Sequence, residues 1–218
     1  MECKGFLFDL DGTLVASLPA VERAWINWAK VHDIDPQDVL NFIHGKQAIT
    51  SLRHFLQGQS EETIQQEFYA LEEIEAADTR GVVAMPGAKA LLARLDELNI
   101  PWAIVTSGTV PIASARHRAA GLSAPQAFIT AEQVVQGKPH PDAYLLGAQQ
   151  LGLKPADCVV VEDAPAGVLS GLAAGCQVIA VNAASDMPKR DQVDLVLDSL
   201  DQIRIEKSGN GVTVIYGQ

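Results

Sequence analysis

The chain has 218 residues, of which 48% are hydrophobic and 20% are charged, and its formal net charge is −11 at pH 7. This composition is typical of one sizeable soluble domain, or of a core domain with a smaller insertion, and it excludes a disordered chain. The negative charge opposes nonspecific binding to nucleic acid, which depends on clustered Lys and Arg, and no apolar stretch approaches the roughly 18 residues of a membrane span.

Apolar runs typical of buried strands alternate with helical patterns along most of the chain. Strands are predicted at residues 5–10, 101–107, 158–163, 177–183 and 194–199. Helices are predicted between them at residues 87–99, 110–121, 141–152 and 166–176. Buried strands that alternate with helices form a parallel sheet covered on both faces. The sequence therefore predicts an α/β fold with a Rossmann-like, doubly wound parallel sheet.

The segment from residue 16 to residue 79 breaks this alternation, because polar-faced helical patterns replace the apolar strands. We expect it to be a helical cap inserted into a core made of residues 1–15 and 80–218. Pro86 and Gly87 mark the return of the chain to that core.

Two local patterns extend this prediction. Trp25 and Trp28 are three residues apart on the first cap helix, which favours packing in the hydrophobic core of the cap. Near the C-terminus, Asn210-Gly211 lies between alternating apolar residues, a pattern typical of a β-hairpin.

The N-terminal sequence MECKGF has no basic segment followed by a long apolar region, so we expect a cytoplasmic protein. Cys3, Cys158 and Cys176 are scattered and have apolar neighbours in the sequence. This pattern favours reduced thiols in the core over disulfides or a zinc site.

Residues suited to binding and catalysis follow the predicted strands. In an open α/β sheet the carboxyl ends of the strands share one edge, and ligands bind there, so these residues should converge. They are Asp9 and Asp11; Thr106, Ser107 and Gly108; Lys138; and Glu162 and Asp163.

Four carboxylates in one crevice would repel one another, so the site should contain a cation. Oxygen ligands without His or Cys favour a hard divalent ion, and a ligand set completed by water and substrate phosphate favours Mg²⁺. The hydroxyl of Thr106 and the N–H groups of a strand-to-helix turn are suited to phosphate oxygens, and Lys138 adds a positive charge.

The motifs DLDGT, TSG, GKP and VVEDAPAG, in this order and spacing, resemble the four motifs of the haloacid dehalogenase (HAD) superfamily. The resemblance covers residues 1–15 and 80–200. The stretches HGKQA and FITAEQVVQGKPHPDAY are similar to the sugar and polyol phosphatases of bacteria and yeast within that superfamily. This resemblance implies a covalent aspartyl-phosphate mechanism that depends on Mg²⁺.

The resemblance also implies a role for each matching residue. Asp9 would be the nucleophile that attacks phosphorus, and Asp11 would protonate the leaving oxygen and then deprotonate the hydrolytic water. Thr106, the backbone N–H of Ser107, and Lys138 would hold the transferring phosphoryl group.

The metal ligands implied by the resemblance come from the first and last motifs. Asp163 would bind Mg²⁺ together with Asp9 and the backbone carbonyl of Asp11. Glu162 would either bind the metal through water or anchor Lys138.

Four further residues, two in the cap and two on the predicted helix at residues 110–121, have two interpretations each. His44 and Lys46 either bind sugar hydroxyls beneath a mobile lid or lie in a solvated loop. Arg116 and Arg118 are expected on a solvated helix face, although either would also fit the edge of the phosphate entrance.

Together these patterns predict a Mg²⁺-dependent phosphatase of small phosphorylated sugars or sugar alcohols that acts through phosphorylated Asp9. The alternatives are a phosphosugar mutase of the same superfamily, which would shield phosphorylated Asp9 from water, and a non-catalytic phosphosugar-binding module. We expect a monomer or a weak homodimer with no nucleic-acid or membrane partner.

Overall fold

The computed structural model describes residues 1–209 and 211–216. The strands are β1 (Glu2–Cys3), β2 (Gly5–Phe8), β3 (Val15–Ala16), β4 (Val83–Ala84), β5 (Trp102–Val105), β6 (Ala127–Ile129), β7 (Cys158–Glu162), β8 (Gln177–Val181), β9 (Leu195–Leu197), β10 (Ile203–Ser208) and β11 (Gly211–Tyr216). The α-helices are α1 (Leu18–Val31), α2 (Pro36–Ile43), α3 (Ala48–Phe55), α4 (Glu61–Ala77), α5 (Ala88–Glu97), α6 (Val110–Ala120), α7 (Asp142–Gln150) and α8 (Pro165–Ala173).

A parallel sheet of six strands, in the order β6-β5-β2-β7-β8-β9, forms the centre of the molecule. Successive residues of β2 face opposite sides, since Phe6 and Phe8 belong to one hydrophobic cluster and Leu7 to another. Both faces of the sheet are therefore covered, which confirms the predicted doubly wound α/β fold. All five predicted strands form, but β6 was not predicted, because its three residues, Ala-Phe-Ile, give too short an apolar run.

Helices α1 to α4 form a helical segment between β3 and β4. These two short strands pair antiparallel through Val15 with Ala84 and Ala16 with Val83. These helices have a hydrophobic cluster of their own, which includes the buried Trp25 and Trp28. The tryptophans thus pack where the sequence predicted. The bounds of the proposed core and cap, at residues 15/16 and 79/80, stay a prediction.

At the other end of the chain, β10 and β11 form an antiparallel hairpin, and β1 pairs with the free edge of β11. The predicted hairpin is therefore present, with Ser208 opposite Gly211, while Asn210 lies outside the described residues. The three cysteines are buried free thiols, as predicted. In the part of the chain that the structure describes, no helix has both the length and the apolar character needed to cross a membrane.

Candidate active site

The predicted loops meet at the carboxyl end of the sheet. Strand β2 lies between β5 and β7, so the loops that follow these three strands are neighbours. The loop that carries Lys138 reaches the same place, because the Lys138 ammonium lies 2.6 Å from Asp9 Oδ1. A single cavity is lined by Asp9, Asp11, Thr106 and Asp163. The predicted convergence is thus observed.

Asp9 is drawn into the protein by the apolar strand that precedes it. Its backbone N–H continues the β2–β7 ladder by donating to Val161 O at 3.0 Å, and the residue is only 6% exposed. Burial, with a further contribution from the charge of Glu162, raises the pKa of the Asp9 carboxyl well above its usual range, and Lys138 opposes this rise. A carboxylate in this position requires positive charge nearby.

The ammonium of Lys138 supplies part of that charge. It donates to Asp9 Oδ1 at 2.6 Å, to Glu162 Oε1 at 2.6 Å and to the Val105 carbonyl at 2.9 Å. An ammonium has three N–H donors, so these bonds use all of them. Burial alone would lower the pKa of Lys138, but Asp9 and Glu162 raise it above its ordinary value, and the side chain is charged.

Glu162 is held from several directions. Its Oε1 accepts from Lys138 and from the Tyr144 hydroxyl at 2.8 Å. Its Oε2 accepts from the backbone N–H groups of Asp163 and Ala164 at 3.1 and 3.2 Å. Gly167 leaves room for this carboxylate, because a Cβ there would lie 1.6 Å from Glu162 Oε1. With both oxygens engaged, the geometry favours the anchoring role over metal binding.

Asp163 faces the site beside the first loop. Its Oδ1 accepts from the Thr13 hydroxyl at 2.9 Å. Burial and the neighbouring Glu162 raise the pKa of Asp163 to about 7. Gly12 has a φ of +88°, and a Cβ there would lie 2.2 Å from Asp163 Oδ2, so this turn favours glycine for both reasons.

Three carboxylates, two buried and one half-buried, offer oxygen donors to a hard cation. Oxygen atoms of Asp9, Glu162 and Asp163 all lie within 4.8 Å of one another. The raised pKa values of Asp9 and Asp163 measure the cost of placing these negative charges together out of water. A divalent ion would offset that cost, and oxygen donors of this kind are those that Mg²⁺ prefers.

The loop after β5 brings the predicted phosphate-binding residues to the cavity. Thr106 is buried, and its Oγ1 accepts from the Gly108 N–H at 3.0 Å. The Ser107 hydroxyl donates to the Gly45 carbonyl at 2.9 Å, which joins this loop to the helical segment. Helix α6 begins directly afterwards, at Val110, so the loop is a strand-to-helix turn as predicted.

The structure overturns the first interpretation of Arg116, a solvated helix face, and agrees with the second, since Arg116 is 3% exposed and lines the cavity. Its Nη1 lies 3.0 Å from Asp11 Oδ1, and its Nη2 lies 2.5 Å from Oε2 of the buried Glu75. Asp11 Oδ1 also accepts from the Ser17 hydroxyl at 2.5 Å. Helix α4, which carries Glu75, packs against α6 and covers Arg116, whereas Arg118 is exposed as expected.

His44 and Lys46 line the same cavity from the helical segment. His44 Nε2 lies 3.8 Å from Glu22 Oε1, and burial lowers the pKa of the imidazole, with Glu22 opposing. The Lys46 ammonium lies 3.4 Å from the centre of the Phe42 ring, and partial burial lowers its pKa. Both residues line the cavity, but the ends of their side chains contact Glu22 and Phe42, which lie outside its lining, and their roles stay a prediction.

Sequence reasoning did not identify Glu75, Tyr144 or Ser17. Glu75 stands in a run of acidic residues on α4, where one inward-facing carboxylate has no distinguishing local pattern. Tyr144 follows the GKP motif by a few residues on α7, and only the fold reveals that its hydroxyl meets Glu162.

Comparisons with known proteins agree with the geometry. A family model described as haloacid dehalogenase-like hydrolase matches residues 3–175. Hexitol phosphatase A of Escherichia coli strain K12 is 67% identical over 215 residues, which are 99% of this chain and 100% of that protein. Glycerol-1-phosphate phosphohydrolase 2 of Saccharomyces cerevisiae is 33% identical over 210 residues, covering 91% of this chain and 83% of the relative.

Solved structures share the fold at lower sequence identity. A hydrolase from Pseudomonas syringae superimposes with a TM-score of 0.81 at 24% identity, covering 90% of this chain and 94% of that one. A β-phosphoglucomutase from Clostridium difficile superimposes with a TM-score of 0.82 at 23% identity, covering 93% of each chain. These structures share the fold of this chain under two different names, and a shared fold does not determine which reaction a protein catalyses.

Proposed function

Because the chain belongs to the haloacid dehalogenase-like hydrolase family, we propose that it is a Mg²⁺-dependent phosphatase acting on small phosphorylated sugar alcohols or sugars. The observation that carries this proposal is the buried Asp9, which is paired with Lys138 and lines a cavity together with Asp11 and Thr106. The 67% identity to a hexitol phosphatase over its full length favours hexitol phosphates as substrates.

Asp9 and Asp163, with the backbone carbonyl of Asp11, would hold the metal. When bound, Mg²⁺ would offset the negative charge of the carboxylates and of the substrate phosphate, so that an anionic nucleophile can approach an anionic group. The burial and raised pKa values of Asp9 and Asp163 support this assignment.

In the first half-reaction, a carboxylate oxygen of Asp9 forms a bond to phosphorus while the bond from phosphorus to the sugar-alcohol oxygen breaks. The leaving oxygen takes a proton from the carboxyl group of Asp11. In the second half-reaction, Asp11 takes a proton from water, the water oxygen bonds to phosphorus, and the acyl phosphate of Asp9 breaks to release inorganic phosphate.

The loop after β5 and Lys138 hold the transferring group. The Lys138 ammonium is held beside Asp9 by its bonds to Asp9 and Glu162, so its positive charge is in place before the phosphoryl group arrives. The Thr106 hydroxyl and the Ser107 N–H belong to a turn that opens into α6, a place suited to phosphate oxygens.

The helical segment would act as a lid. The cavity is lined on one side by sheet loops and on the other by α1 and the loop after α2, including Trp25, His44 and Lys46. A small substrate would be enclosed between these two walls, and bulk water would be excluded during the first half-reaction. A large phosphoprotein would not fit beneath such a lid.

The decisive experiment measures phosphate release from hexitol, hexose, deoxyhexose, pentitol and glycerol phosphates, with Mg²⁺ and with a chelator. We expect metal-dependent release that is fastest with hexitol phosphates. Isomerised sugar phosphate without free phosphate would establish a mutase instead. Binding of these esters without any turnover would establish a non-catalytic module.

A further inference from the structure

The two carboxylate oxygens of Asp11 have different surroundings. Oδ1 accepts from the Ser17 hydroxyl at 2.5 Å and is paired with Arg116 Nη1 at 3.0 Å. Oδ2 faces the phosphate-binding loop, since a Cβ at Gly108 would lie 3.9 Å from Asp11 Oδ2 and 3.3 Å from Thr106 Oγ1. One oxygen is thus held in place and the other is directed toward the reaction.

Arg116 is itself held by the helical segment. Its Nη2 lies 2.5 Å from Glu75 Oε2, and Arg116 and Glu75 are only 3% and 5% exposed. Removing a guanidinium and carboxylates from water is costly unless they are paired, and such pairs are retained where their geometry matters. The planar guanidinium can bind one carboxylate through each terminal nitrogen, which a lysine cannot do.

We propose that Arg116 is a positioning residue for the general acid and base. Its guanidinium, aligned by Glu75, holds Asp11 Oδ1 so that Oδ2 points at the leaving oxygen. Because Glu75 belongs to α4, this alignment exists only when the helical segment is docked on the sheet. The docking of the lid and the orientation of Asp11 are therefore coupled. The inference rests on the proposed phosphatase function.

The test compares two leaving groups. A hexitol 6-phosphate releases a poorly acidic alcohol that needs a proton from Asp11, whereas p-nitrophenyl phosphate releases a stable phenolate that does not. Asp11 also acts in the second half-reaction, which both esters share, so the comparison uses single-turnover rates of the first half-reaction. For Arg116→Ala we expect release of the hexitol to slow about 10- to 100-fold, because part of the general-acid contribution is lost. Release of p-nitrophenolate should slow less than about 3-fold, since the nucleophile is unaffected.

Further variants separate positioning from folding. Arg116→Lys keeps a buried positive charge and should fold if Arg116→Ala does not. It should show the same selective loss, because an ammonium donates from one nitrogen and does not reproduce the fixed geometry in which two guanidinium nitrogens hold Asp11 and Glu75. Glu75→Gln removes the charge but keeps an oxygen for Arg116 to bind, so the same pattern should be weaker. Arg118→Ala, at an exposed position on the same helix, should match the wild type with both substrates.

Equal loss of the single-turnover rates with both substrates in folded Arg116→Lys and Glu75→Gln would show a structural role and overturn the inference. Unchanged rates would overturn it as well. The proposed function is judged on the wild type alone. If the wild type hydrolyses neither ester, that function fails and this inference fails with it, whereas an active wild type with unselective variants refutes only the positioning role.

Discussion

The cavity has a sheet wall, formed by the loops after the strands, and a helical wall, formed by the helical segment. The two walls are held by different numbers of hydrogen bonds. On the sheet side, the residues that line the cavity are supported by the buried Lys138 and Glu162, and every donor of that ammonium and both oxygens of that carboxylate are engaged. On the helical side, His44 and Lys46 are partly exposed. His44 lies 3.8 Å from the Glu22 carboxylate, and the Lys46 ammonium lies over the Phe42 ring. The first wall is constrained by its own bonds, and the second is free to vary.

The proposed function accounts for this difference. The phosphoryl group is the same in every substrate, so the residues that transfer it are most effective when they are held in position before the substrate binds. The organic part of the substrate differs between relatives named for hexitol, glycerol and deoxyglucose phosphates. Side chains that make few hydrogen bonds within the protein can be exchanged to suit such substrates without destabilising the fold.

The strongest test of the sheet wall is Asp9→Asn. An amide cannot serve as the anionic nucleophile, so we expect phosphate release to fall by at least about 10⁴-fold. The amide oxygen can still accept from Lys138, so circular dichroism should report an intact fold. Asp191→Asn, at an exposed position, is the control and should retain full activity. Activity within tenfold of the wild type in Asp9→Asn would remove Asp9 from its proposed role.

Glu162→Gln should produce the largest loss of stability. It leaves the buried Lys138 with less compensating charge and places an amide N–H₂ group against backbone N–H donors. Breaking a buried pair in this way typically lowers the free energy of unfolding by about 3–5 kcal/mol. Urea unfolding of both proteins measures the difference. Glu61→Gln, which removes the partner of Arg53 in an exposed pair, should leave the midpoint unchanged. Equal effects would mean that the buried bonds do not stabilise the sheet wall.

The sheet wall was also the part that the sequence predicted well. Strands β2 and β7 are wholly buried, so their apolar runs are unambiguous, and the polar residues that follow each strand mark the loops. The position of Asp9, Thr106, Lys138 and Asp163 at one edge then follows from the topology of a parallel sheet. Local patterns and fold rules were sufficient because the order of the strands in the sheet determines which loops are neighbours.

Arg116 shows where such reasoning ends. Its helix is weakly amphipathic by pattern, so an arginine there suggests solvent. Its partner Glu75 lies 41 residues earlier, on a helix from a different part of the chain. The pairing depends on how α4 docks against α6, and no local spacing encodes that contact. Long-range packing decides which charged residues are buried, and the sequence alone does not reveal it.

Metal removal probes the electrostatics of the sheet wall. Without Mg²⁺, burial and Glu162 raise the pKa of Asp163 from 3.8 to about 7. As the pH rises through this window, the unfolded chain binds fewer protons than the folded one, so the free energy of unfolding falls. Mg²⁺ favours the ionised carboxylates and should therefore stabilise the protein more at pH 7.5 than at pH 5.

Thermal unfolding at both pH values, with Mg²⁺ and with a chelator, checks this prediction. At a Mg²⁺ concentration about 100 times Kd, the stabilisation should be about 2.7 kcal/mol at the higher pH. Ca²⁺, which prefers more ligands at longer distances, is a useful comparison ion. A melting temperature that is independent of Mg²⁺ at pH 7.5 would contradict the proposed metal site.

Lys46→Ala tests the helical wall and should have the smallest effect. The ammonium is partly exposed, so its hydrogen bonds to substrate hydroxyls compete with water, and we expect KM for a hexitol phosphate to rise about 3- to 10-fold. The value of kcat with p-nitrophenyl phosphate should not change, since that ester has no hydroxyls to bind. Lys30→Ala, an exposed lysine on α1, is the matched control. An unchanged KM would favour the solvated-loop interpretation of Lys46. A fall in kcat with both esters would show that the helical wall, like the sheet wall, contributes to the chemical step.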